Sequence, residues 1–172
     1  MEITSDIVLK GATWEHITEK YAFMFRATNY MLFMLAIPIG IMYDQRIKDF
    51  EDLLDDSKDV FRTSVPRTVI TNRDNGKLDF MFQAAIMSTM TEDLPEEKRL
   101  ELAFGEKTEF NKISFLIEFA NFGATILEEQ IGETDIETMD NLKHFMVKTY
   151  EDRNFDINPL PDEYLIDLVE EF

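Results

Sequence analysis

The scarcest residues able to do chemistry in this chain are its 2 histidines. His16 stands between Glu15 and Glu19, and a histidine beside a carboxylate can help to hold a metal ion. A di-metal site in a helical bundle, however, takes paired Glu-x-x-His motifs and two further Glu residues. Neither His16 nor His144 has Glu three positions before it. His16 therefore reads as a surface residue beside first-turn acids. His144, in a Lys143-His144 pair near the basic end of a helix, reads as a solvent-exposed residue or one that complements the dipole.

Glycine-rich phosphate loops, Gly-x-Ser-x-Gly and His-Glu-x-x-His are all missing from the sequence. Carboxylates are plentiful, and 35 of them make chance pairings cheap. Glu118 stands apart because it lies within Ile113 to Phe122, an apolar run whose members should be buried. A carboxylate there takes a raised pKa or a partner, unless it lies on a polar side with Asn111 and Asn121. Asn121 and Gly123 interrupt the same run. Glycine inside a helix costs about 1 kcal/mol against alanine, so Gly123 is expected where helices pack closely or bend. No catalytic residue, metal or cofactor is assigned.

Composition narrows the class. A chain of 172 residues fits one domain, and 45% hydrophobic residues with 15 Phe can fill a core. Cysteine is absent, so disulfides and thiolate sites are impossible and the reducing cytoplasm is the expected compartment. The formal charge is −18. Residues 1–74 carry 12 acids and 9 bases, against 23 and 8 in residues 75–172. Such a field opposes direct contact with nucleic-acid phosphates or anionic lipid, which need Lys and Arg. Ala27 to Tyr43 is free of charge, but Pro38 and Gly40 interrupt it. It is expected to be a buried helix rather than a membrane span.

These residues must be positioned mainly by helices. The expected fold is mainly α, about five to seven helices in residues 1–152, with at most a small β element near Val65 to Ile70. Ile7 to Leu9 is a second strand candidate. A helix capped by Thr13 carries Trp14, Ile17, Tyr21 and Phe25 on one face. Tyr30 to Ile37 is apolar all round and should kink or end at Pro38. Arg46 to Asp59 reads as a short surface helix or an excursion. Leu78 to Met90, a helix opened by Leu94-Pro95, and a long helix from Thr108 to Ile131 closed by Gly132 follow. Thr134 and Glu137 form a capping box for the next helix. Residues 153–172 are a linker and an acidic tail, in which Tyr164, Leu165, Leu168, Val169 and Phe172 fall at helical spacing and suit docking on the domain or on a partner.

Four segments carry a resemblance: Phe33 to Gly40, Val65 to Val69, Asp79 to Ile86 and Phe115 to Gly123. In order and spacing they resemble small proteins associated with the Dnd (DNA phosphorothioation) system, over roughly Tyr21 to Leu142. Phe119 stands where that pattern has Tyr, and Arg46 to Asp59 looks like an insertion. The resemblance implies a bacterial anti-phage setting, with a larger ATPase or nuclease of the same system as partner, and makes Glu118, Asn121 and Gly123 a motif. It implies no reaction. The expected function is a non-catalytic subunit acting through protein contacts. Two alternatives stand beside it: an acidic mimic of DNA that inhibits a DNA-binding protein, and a small helical enzyme built on Glu118 or His16.

Overall fold

A computed structural model describes residues 3–50, 60–90, 94–105 and 110–151. Among these residues the fold is mainly α, with seven helices and a single two-stranded sheet. Strand β1 (Ile7–Lys10) pairs antiparallel with β2 (Arg62–Val65), placing Ile7 opposite Val65 and Leu9 opposite Thr63. Ile7 and Leu9 point into the core while Val8 and Lys10 are exposed, the alternation of a half-buried ribbon.

The sheet sits slightly earlier than expected. Val65 ends β2, and Arg67–Arg73 forms a short helix, α3. Pro66 occupies the N-cap with φ −62°, a value its ring fixes in advance. The Arg67 N–H donates to the Asp6 carboxylate at 2.8 Å, so the cap arrives from the residue before β1. That long-range bond overrides the strand preference of Val69 and Ile70.

The core is built on α2 (Asn29–Tyr43) packed along α6 (Lys112–Glu129). Thr28 caps α2 through a hydroxyl that accepts from the Met31 N–H, and Asn111 caps α6 by accepting from Ser114. The α2 helix does not end at Pro38, one of the two outcomes expected there, but continues to Tyr43. Proline removes one helical bond at a cost of about 3 kcal/mol. Burial of Phe33, Ala36, Ile37, Ile39 and Gly40 outweighs that loss.

Helix α1 (Ala12–Phe25) lays Trp14, Ile17 and Tyr21 against this pair. It starts after Gly11 rather than under a Thr13 cap, because the Thr13 hydroxyl instead donates to Glu128 at 2.7 Å. Helices α4 (Lys77–Ser88) and α5 (Glu96–Phe104) pack together, and α4 also touches α2 and α6. Asp44, which ends α2 in a left-handed conformation, joins it to the end of α4 by accepting from the Thr89 hydroxyl and the Met90 N–H.

The α6 helix ends at Glu129, before the expected Gly132 cap. Gly132 instead donates its N–H to the Thr138 hydroxyl of α7 (Asp135–Glu151). Half of the expected capping box forms: Thr134 accepts from the Glu137 N–H, but the Glu137 carboxylate reaches the Glu133 N–H rather than that of Thr134. Of the Arg46 to Asp59 stretch, residues 46–50 are irregular and the remainder lies outside the described residues, as does the acidic tail. Among the described residues no single helix is long and apolar enough to cross a membrane. Helices α1 and α2 would suffice only together, and they turn by 115° between them.

Candidate functional site

The three motif residues lie on different sides of α6, Glu118 and Asn121 toward Arg46, Ile47 and Trp14 and Gly123 toward α2. Asn121, only 6% exposed, accepts the indole N–H of Trp14 at 2.9 Å and donates to the Ile47 carbonyl at 3.0 Å. One side chain thus ties α1 and the segment after α2 to α6. Glu118, half-buried, pairs with Arg46 at 3.2 Å, and its backbone carbonyl accepts the Ile47 N–H. The Arg46 guanidinium also lies 4.9 Å from the ring centre of Phe115 and 5.6 Å from that of Phe119. Gly123 meets the Ala36 backbone so closely that no side chain fits there. Each motif residue holds one junction of α6, and the group presents bonded atoms to its neighbours.

His16 is 61% exposed on its side chain and bonds Glu128 through Nδ1 at 2.6 Å. A carboxylate only accepts, so Nδ1 carries the proton and a neutral ring leaves Nε2 as an acceptor. Glu128 also receives the Thr13 hydroxyl, so the pair fastens α1 to the end of α6. His16 and Glu128 border a shallow cleft with Glu19, Lys20, Phe23 and Asp135. The described lining of that cleft offers a base and carboxylates but no Ser, Thr or Cys nucleophile. His144 bonds the Asp140 carbonyl one turn back along α7. Among the described residues, no group of three or more His, Asp or Glu could hold a metal ion.

A larger cleft of about 700 Å³ opens between the α1–α2 corner, α4 and α7. It is lined by the buried Tyr21, Tyr30 and Leu127 and, further out, by the more exposed Phe25, Met31, Met34, Met81 and Met146. Lys77 and Lys143 supply its positive charge. The cleft exists because α7 settles only partly onto the core. Thr138 is its one fully buried side chain among those described, while Leu142 and Phe145 are half-buried.

Burial pushes the Tyr21 phenol well above its ordinary pKa, and its hydroxyl donates to the Leu127 carbonyl at 2.7 Å. Tyr30 is raised as well, by burial first and by the Asp74 carboxylate second, with Arg73 opposing. Both phenols are neutral at physiological pH, as a phenol at its ordinary value of about 10 also is.

No local signal in the residues marks this cleft, since its methionines read equally well as core. Unbranched and polarizable, methionine adapts to varied apolar partners and is common on binding surfaces. The tail residues Tyr164, Leu165, Leu168, Val169 and Phe172 lie outside the described residues. Compared with protein-family models, curated proteins and solved structures, the chain matches none.

Proposed function

We propose that this protein works by binding another protein, with the methionine-lined cleft as its contact surface. The observation that carries this reading is the pairing of an open apolar cleft with two lysines in a chain of net charge −18. An apolar cleft of this size is disfavoured facing water. A segment presenting apolar anchors at helical spacing would fill it, and acidic flanks would meet Lys77 and Lys143. The chain's resemblance to Dnd-associated proteins supports a cytoplasmic anti-phage assembly as the setting and a larger ATPase or nuclease as the partner.

Capture from the native host, read by mass spectrometry, tests this. Met31 and Met146 are about half exposed, so Met31→Glu with Met146→Glu alters the cleft without touching the core. The expected result is one protein captured by the wild type and lost from the double variant. Identical capture by both chains overturns the reading.

A further inference from the structure

We propose that the open edge of β1 is a second docking site, which takes an extended segment of another protein as an added strand.

The bonding phase of the ribbon is the first argument. One step beyond the Lys10–Arg62 pair, Gly11 stands opposite Phe61, and its N–H donates to the Phe61 carbonyl at 3.1 Å. Opposed residues in an antiparallel pair alternate between bonded and unbonded. Ile7 and Leu9 therefore bond to β2, while Val8 and Lys10 turn their N–H and C=O groups outward. The outer edge of β2 shows the same phase from the other side. There the Ser64 carbonyl, opposite Val8, accepts from the Asn29 side chain at 2.9 Å. Helix α2 thus covers one edge of the sheet. On the other, no strand pairs with β1 and no group bonds the Val8 or Lys10 backbone among the described residues.

Shape is the second argument. The residues of β1 and the start of α6 border a groove of about 380 Å³, with Ile113, Ser114 and Ile117 on the helical side. The groups left open there are peptide donors and acceptors in strand register. A backbone in extended form satisfies them, whereas a helix keeps its own bonds to itself. A second copy is disfavoured as the occupant, since each copy carries a net charge of −18.

Side chains set the chemistry of the added strand. Val8 and Lys10 are exposed on the solvent face, so β-branched and acidic residues suit the positions across from them. The alternate residues of that strand turn toward the half-buried Ile113 and Ile117 and are apolar. Lys10 and the shortness of β1 limit indiscriminate pairing.

The full-length protein tests this with a pool of synthetic peptides of about eight residues, in which Val or Ile alternates with Thr or Glu. Amide exchange is followed by NMR. In the free protein Leu9 should be protected, while Val8 and Lys10 exchange freely. A bound peptide should slow exchange at Val8 and Lys10. Val8→Pro removes an outward N–H and no bond to β2, so it should weaken that peptide about 10-fold, with Val8→Thr unchanged. If Val8→Pro fails to fold, the protection pattern of the wild type decides alone. A pool without a binder at about 1 mM peptide overturns the proposal. So does binding that leaves Val8 and Lys10 exchanging freely, or equal affinity in a folded Val8→Pro variant. Protection that grows with protein concentration alone also overturns it, because a second copy would then hold the edge. None of these outcomes involves the methionine-lined cleft, so the capture experiment stands apart.

Discussion

Gly123 lies so close to Ala36 that a Cβ placed on it would sit 1.9 Å from the Ala36 carbonyl oxygen. The relation is reciprocal, since a Cβ on Gly40 would sit 2.1 Å from the carbonyl oxygen of Phe119. Helices α2 and α6 are therefore in backbone contact at two points, and each glycine seats a turn of the other helix. Neither clash can be relieved by rotating a side chain.

Gly123→Ala should accordingly cost about 3 kcal/mol or more, the upper end of overpacking penalties, because α2 and α6 must separate. Gly132→Ala is the contrast. There the added Cβ meets the Glu137 Cγ at 2.5 Å, part of a flexible chain that can turn aside. Urea denaturation should show a much smaller loss for Gly132→Ala. Equal losses would contradict the close contact at Gly123.

Asn121→Leu removes the acceptor of Trp14 and the donor to Ile47 at once. Unpaired buried groups cost about 1–3 kcal/mol each, so a loss of about 2–4 kcal/mol is expected. The chain's 1 tryptophan reports the change directly through its emission. A variant with wild-type stability and emission would show that the bridge contributes nothing.

Tyr21 gives a prediction in pH. Its folded pKa is raised above the unfolded value near 10, so its contribution is complete below pH ~10 and is lost as pH climbs above that. Tyr21→Phe should cost about 1 kcal/mol near neutrality through the lost bond to Leu127. That cost should shrink in alkali, where the wild type alone must keep a buried phenol protonated. A wild-type-to-variant difference that is unchanged from pH 7 to pH 11 would refute the assignment.

Phe33→Asp should unfold the domain, because Phe33 is fully buried in the hydrophobic core on α2 and a carboxylate there loses its hydration. Circular dichroism of the purified variant checks it. Native-like cooperative melting would mean that the centre of α2 is not the core.

Much of this architecture was legible in the residues. The period of Phe110, Ile113, Leu116, Ile117, Ala120, Ala124 and Leu127 marked α6, and the glycine cost at position 123 pointed to close packing or a bend. Errors came where a distant residue overrode a local signal. Val69 and Ile70 favour a strand, yet Asp6 caps a helix over them. Pro38 could end an isolated helix, yet α2, with seven of its residues buried, continues through it to Tyr43. Thr13 suits a cap, yet Glu128 takes its hydroxyl.

The site was less legible than the fold. Glu118 was expected to need a partner if buried, and Arg46 lies beside it. The partners of Asn121 lie far off in the chain, at Trp14 and Ile47, and no spacing rule encodes them. The cleft is a property of how incompletely α7 covers α1, α2 and α4, and periodicity counts its residues as core.

The affinity of the captured partner for three chains tests the central claim most directly. These are the wild type, the Met31→Glu/Met146→Glu cleft variant, and Phe23→Glu as a control. Phe23 is 80% exposed and borders the other cleft, so it probes a general response to removing surface apolar area. Titration calorimetry should give the cleft variant a Kd raised by at least ~10-fold, about 1.4 kcal/mol, and the control an unchanged one. A cleft variant that binds like the wild type, with Phe23→Glu weakened, would place the interface at the cleft beside His16 and contradict the account.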